Sequence, residues 1–252
     1  MRRARPPLHQ WNLQPEQAIA LQRELAGRVI REDRLPSQVQ HIAGVDLAIN
    51  ENNGLARAAV VLLSYPSLEL EEQHVYEEPV RMEYIPGLLS FRELPCVLGA
   101  LALLRQEPDL IMVDGQGIAH PRRLGIASHL GLWLDVPTIG CAKSVLRGHY
   151  NEQELGESVG SWVPLRDQGE VIGAALRTRE HVKPMIISIG HRVSLETALR
   201  YVLSCSRGYR LPEPTRLADR LSKNNAYREP ASGTRGGQGT ASDGAVQDSL
   251  WQ

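Results

Sequence analysis

The chain has little that could staple a fold from outside. Its three cysteines, Cys96, Cys141 and Cys205, are odd in number, far apart and set among apolar neighbours, which argues against a disulfide framework and against a zinc site. They read as buried thiols in a reducing compartment. Neither charge is in excess. With 28 basic and 29 acidic residues the net charge is -1, so bulk electrostatics does not announce a nucleic-acid binder and leaves open only a local basic groove. No apolar run is long enough to span a bilayer, and the basic start, Met-Arg-Arg-Ala-Arg-Pro-Pro, has no apolar segment behind it. A soluble, cytoplasmic monomer with no membrane partner is expected. There is no internal repeat. From about Asn224 onward apolar residues almost vanish while Gly, Ser, Ala, Thr and Gln dominate, so 224–252 is expected to be a disordered tail.

What remains is ample for a core. Apolar residues make up 42% of the 252, and one domain is expected over 1–223. Ala18, Leu21, Leu25 and Val29 recur at helical spacing and predict an amphipathic helix over 15–31. Strands are predicted at 41–49, 56–65 and 68–76, joined by the turn-like Glu-Asn-Asn-Gly and Tyr-Pro-Ser, which makes an antiparallel meander. A loop at 79–89 leads into a helix over 91–105. A strand at 110–113, a helix at 122–134 and a strand at 136–142 follow. Beyond Ser144 the signal weakens to strands at 162–163, 171–178 and 185–189, with a hairpin around Asp167-Gln168-Gly169. A helix capped by Ser194 runs to about Cys205, and a last helix carries Asp219. The fold class is α/β, a mixed central sheet whose first three strands are antiparallel, flanked by helices.

Four carboxylates stand out. Leu110–Val113 reads as a strand buried on both faces, and it stops at Asp114, followed by Gly115 and Gly117. Ligands of open α/β sheets sit beyond the carboxyl ends of strands, and the glycines let a substrate approach the backbone. A turn in which Asp114 accepts backbone hydrogen bonds explains the same residues about equally well. Asp46 interrupts the apolar run Ile-Ala-Gly-Val-Asp-Leu-Ala-Ile, where an ionised carboxylate is costly unless paired or bound to a cation. Glu93 has two readings of equal weight, because Ser90 three residues before it matches a capping box. Asp219 lies on the last helix. Converging carboxylates suit Mg²⁺, and two such ions about 4 Å apart would stabilise both the attacking and the leaving oxygens of phosphodiester hydrolysis.

The runs Ile-Ala-Gly-Val-Asp46, Tyr84-Ile-Pro-Gly-Leu-Leu-Ser-Phe-Arg-Glu93, Val-Asp114-Gly-Gln-Gly-Ile-Ala-His120-Pro-Arg, Gly140-Cys-Ala-Lys143-Ser, Gly-His191-Arg-Val-Ser and Gly-Tyr-Arg-Leu-Pro-Glu-Pro-Thr-Arg-Leu-Ala-Asp219 together resemble the endonuclease V family. That resemblance, which covers about Ile42 to Asp219, implies a ribonuclease H-like fold. It also implies a Mg²⁺-dependent repair endonuclease, with Mn²⁺ as a substitute, that recognises deoxyinosine in DNA and hydrolyses the second phosphodiester bond 3′ to it. Asp46, Glu93 and Asp114 are then metal ligands, with Asp219 a fourth catalytic residue beside Lys143. The Tyr84-Ile85-Pro86-Gly87 loop would enter the duplex as a wedge, where an aromatic ring beside a rigid proline can fill the gap left by a flipped base. Gly87, Leu89, Gly115 and Gly125 would line the base pocket, and His120, Arg122 and Lys143 would face the phosphates. His191 is left outside the site. One departure is Glu83, where the family usually has proline before this tyrosine. Two alternatives stand beside this reading: an inosine-specific ribonuclease acting on RNA, or a non-catalytic nucleic-acid binder of the same fold, with single-stranded DNA a further partner.

Overall fold

A computed structural model describes residues 7–224. The expected tail therefore lies outside the described residues, apart from Asn224.

The first three strands form the expected meander. β1 (His41–Asn50), β2 (Leu55–Ser64) and β3 (Leu70–Pro79) are long and antiparallel. β1 then pairs in parallel with β4 (Leu110–Val113), and β4 with β5 (Thr138–Ala142). The sheet is completed by β6 (Trp162–Asp167), β7 (Glu170–Leu176) and β8 (Met185–His191), giving the order β3-β2-β1-β4-β5-β8-β7-β6. The β6–β7 hairpin turns where predicted, with Gln168 at φ 52 and Gly169 at φ 85, the pair of positive φ values that a two-residue hairpin turn requires.

Helices cover both faces, as successive side chains of each strand demand. On one face Ala43 and Val45 of β1 pack against Leu94 and Val97 of α2 (Leu89–Ala102) and Ala127 and Leu130 of α3 (Ile126–Leu134). On the other, Ile42 shares a cluster with Ala198, Leu199 and Val202 of α4 (Leu195–Ser204). Ala59 and Val61 of β2 meet Ala218 and Leu221 of α5 (Glu213–Ser222) on that same side. Gly44 sets the distance of α5: a Cβ there would lie 2.0 Å from the Pro214 carbonyl oxygen, so only glycine lets the first turn of α5 rest on β1. α1 (Pro15–Ala26) packs beneath the loop that precedes α2 through Ala18, Leu88 and Phe91.

Several boundaries differ from expectation for local reasons. α1 stops at Ala26, and the chain continues through Gly27 rather than reaching Arg31. α3 begins at Ile126 rather than Arg122, because Arg123 has φ 57 and cannot start a right-handed helix. β5 begins at Thr138 rather than Val136, while β6 runs four residues past Val163, to Asp167. α2 begins at Leu89, after a turn in which the Leu88 amide donates to the Ile85 carbonyl. Ser90 therefore lies inside the helix and does not cap it. Its Oγ pairs with Nδ1 of His129 at 3.0 Å, so the capping box read at Ser90 and Glu93 is absent and Glu93 has no such structural task. Ser194 does cap α4, accepting from the Thr197 amide.

Candidate functional site

The parallel register that pairs Val45 with Val113 makes Asp46 and Asp114 the next residues of neighbouring strands, and the Asp114 amide donates to the Val45 carbonyl at 3.1 Å. Asp219 reaches them from α5. One carboxylate oxygen from each of Asp46, Asp114 and Asp219 lies within 4.8 Å of the others. Glu93, from α2, stands outside this closest group but lines the same cleft of about 200 Å³ with Asp46, Leu47, Leu89, Asp114 and Ile126.

Such crowding has an electrostatic price. Burial, aided by the charges of Asp114 and Asp219 and opposed by Ser222 and Lys143, pushes the Asp46 carboxyl up to about 7. Burial and the charges of Asp46 and Asp114 push Glu93 up to about 8, against the pull of Arg92. Burial would raise Asp219 as well, but hydrogen bonds from Lys143 and Lys223 outweigh it and hold that group below the usual carboxylate range. The Lys143 ammonium bridges the cluster, 2.5 Å from Asp114 Oδ2 and 2.6 Å from Asp219 Oδ1. Those two carboxylates lift the Lys143 pKa despite its partial burial. Ser222, one helical turn beyond Asp219, donates to Asp46 Oδ2 at 2.5 Å. The arrangement is a set of hard oxygens whose mutual repulsion is offset only in part by lysines, which is the donor chemistry a small divalent cation selects.

Beside the cluster stands the Tyr84 loop. Tyr84 is 62% exposed, with the Arg92 guanidinium 5.9 Å from its ring centre, whereas Ile85 turns inward against the α1 side. Pro86 is exposed, and Gly87, at φ 82, makes the turn that a residue with a Cβ would resist. The Gly87 carbonyl accepts from Arg122 Nη2 at 2.6 Å and from Gln22 Nε2 at 2.9 Å, and Arg122 Nε donates to Gln22 Oε1. Gln22 Nε2 also donates to the Leu124 carbonyl.

Arg122 braces the loop from beneath, and His120 is buried, its Nδ1 accepting from the Arg122 amide. Burial, then the charge of Arg122, push His120 down to about 4, so it stands neutral under the loop. Gly115 and Gly125 permit close packing: a Cβ on Gly115 would lie 2.5 Å from Ile126, and one on Gly125 2.3 Å from the Gln116 carbonyl. Leu89 is partly exposed on the cleft wall. His191 is buried at the end of β8, accepting from the Ile30 amide, at the opposite end of the sheet from Asp46 and Asp114.

Three contributors went unread in the sequence. Gln22 is a polar residue at the core spacing of Ala18 and Leu25, which is the signal that it bonds something inside. Ser222 follows Asp219 by three residues, the spacing that shares a helix face. Arg210 gave no signal, since its role is to donate to the backbone carbonyls of Lys143, Lys183 and Pro184 across a loop.

Comparison with known proteins decides the family: the model described as Endonuclease V matches residues 23–220. The chain belongs to the endonuclease V family. It is therefore a nuclease, and its mixed sheet is the ribonuclease H-like fold. An endonuclease V from Nostoc sp. is 54% identical over 216 residues, 86% of this chain and 97% of the relative. Among solved structures, endonuclease V from Streptomyces avermitilis superposes with a TM-score of 0.79 at 42% identity, covering 84% of this chain and 92% of that one. Endonuclease V from Ciona intestinalis, in complex with DNA containing an inosine followed by a ribo-adenosine, superposes at 0.73 with 31% identity, covering 83% and 97%.

Proposed function

We propose that the protein is a Mg²⁺-dependent endonuclease that recognises deoxyinosine in DNA and hydrolyses the second phosphodiester bond on its 3′ side, leaving a 3′-hydroxyl and a 5′-phosphate. The observation that carries the reading is the approach of Asp46, Asp114 and Asp219 to within 4.8 Å, with Glu93 on the same cleft. These residues would hold the cation; its chemistry is Lewis-acid polarisation of the scissile phosphate and a more acidic water. Mn²⁺, which accepts similar ligands, is the expected substitute.

The chain's own side chains do the rest. Ser222 holds Asp46 Oδ2 in place and so orients the carboxylate that would bind the cation. Lys143 keeps a full positive charge beside the reacting phosphate, where negative charge develops. Leu47, Leu89, Val97 and Ile126 form apolar walls of the cleft. Tyr84, presented outward on a loop pinned by Gln22 and Arg122, serves as the wedge that separates the strands at the lesion.

A second reading is an RNA substrate, favoured by one observation: the Ciona relative accommodates a ribonucleotide directly after the inosine. Incubating the protein with single-inosine DNA duplex, single-stranded DNA and RNA of one sequence, with Mg²⁺ and then with EDTA, tests both. The proposal expects a metal-dependent cut mapping one nucleotide beyond the inosine's neighbouring bond. Cleavage in EDTA, or cuts indifferent to inosine, would overturn it.

A further inference from the structure

A larger hollow, of about 620 Å³, opens on the other side of Asp46 and is lined in part by Ala48, Asn50, Asn53, Arg57, Ser222 and Lys223. Side chains alternate along β1, so this hollow lies on the α5 face of the strand, whereas the cleft bounded by Val45 and Leu47 lies on the α2 face. The two meet at Asp46, because Ser222 lines the larger hollow and donates to that carboxylate.

An endonuclease cuts within a strand, so the strand must leave the carboxylates in two directions. The Tyr84 loop and the α2-face cleft serve the direction that holds the inosine. We propose that the α5-face hollow takes the sugar–phosphate backbone on the far side of the cut, with Lys223 contacting a phosphate and Asn50 and Asn53 donating hydrogen bonds to it. This rests on the nuclease reading above.

The lining has the chemistry for that ligand. Lys223 is 62% exposed at its side chain and shares a single oxygen, Asp219 Oδ1, with Lys143, the two ammoniums standing 2.7 and 2.6 Å from it. A cation held by Asp219 would compete with both lysines, and Lys223, on a flexible stem at the mouth of the hollow, would then turn to a phosphate. Asn50 and Asn53 spend their Oδ1 atoms on the backbone amides of Asn52 and Leu55, so what each offers outward is its Nδ2 donor pair. Two carboxylates also border the hollow, but Glu51 is paired with Arg92 at 3.0 Å and Glu77 with Arg57, which offsets their repulsion of a phosphate. Arg57 is buried and also donates to the Asn224 carbonyl, so it forms the wall.

The test uses the full chain and fluorescence anisotropy with two single-stranded inosine oligonucleotides, one ending at the nucleotide just past the cut and one continuing well beyond it, and with their adenine counterparts. Ca²⁺ replaces Mg²⁺, and strand integrity is checked on a gel. The wild type should bind the longer oligonucleotide more tightly. Lys223→Ala should lose most of that advantage and reduce the log–log salt slope for the longer strand by about 0.7, the share of one phosphate contact on a single strand, with Lys223→Arg restoring both. Equal losses on both lengths, or an unchanged slope, would overturn the assignment. A wild type without preference for inosine over adenine, but with the length and salt effects intact, sinks the nuclease specificity and leaves the hollow assigned.

Discussion

Asp114 and Asp219 oppose the charge of Asp46 in the folded chain, so removing that charge should relieve the fold while disabling the site. Asp46→Asn and Asp114→Asn are expected to abolish Mg²⁺-dependent cleavage, and Asp46→Asn to raise the melting temperature slightly without metal. A variant that still cuts at an appreciable fraction of the normal rate would remove that residue from the ligand set. Glu93→Gln should behave alike, since no capping box exists for the glutamine to preserve; inactivity accompanied by unfolding would assign Glu93 to the scaffold instead. For Tyr84→Ala the expected loss is a stacking surface worth roughly 1–3 kcal/mol, felt on inosine duplex and much less on single strand, where no partner must be displaced. Equal losses on the two substrates would leave Tyr84 as a packing residue. Asp46 and Asp114 were legible because each breaks an apolar strand. Ser222 and Gln22 were not, because a hydroxyl or amide on a helix carries no information about its partner until the helix has been docked.

Among the elements, the first helix and the last position the site without entering it. α1 pins the Tyr84 loop through Gln22, so Gln22→Leu should reproduce the duplex-selective defect of Tyr84→Ala while leaving the metal requirement unchanged. A defect that falls equally on single-stranded substrate would detach Gln22 from the loop's function. α5 depends on Gly44 for its seat, and Gly44→Ala, which drives a methyl into the Pro214 backbone, should destabilise the chain and move Asp219 and Ser222 away from Asp46. Measured retention of both stability and activity would contradict that geometry. The meander, the buried β4 and the order of helices were readable from period and turn residues. The start of α3 was misjudged because the left-handed Arg123 leaves no mark in a window of otherwise helical residues, and β7 and β8 were blurred because burial on both faces erases alternation.

For the molecule as a whole, the crowded carboxylates link pH, metal and stability. Asp46 and Glu93 titrate at about 7 and about 8 when folded, against 3.8 and 4.5 as ordinary groups. Between those limits the folded chain binds more protons than the unfolded one, so their contribution to stability falls as pH rises through the window. Without metal, wild type should therefore lose melting temperature with rising pH faster than Glu93→Gln does. Mg²⁺ should restore more at the top of the window than at the bottom, since binding must displace the protons. Parallel pH profiles for wild type and variant would show that Glu93 is not held protonated by its surroundings.

The most direct measurement is a Mn²⁺ titration followed by electron paramagnetic resonance on wild type, Asp114→Asn and Asp219→Ala, with cleavage of single-inosine duplex assayed on the same samples. The account predicts that wild type binds Mn²⁺ and cuts beside inosine, and that Asp114→Asn loses both together while Asp219→Ala weakens both. Undiminished Mn²⁺ binding by Asp114→Asn, or inosine-directed cutting by a sample that binds no metal, would contradict it.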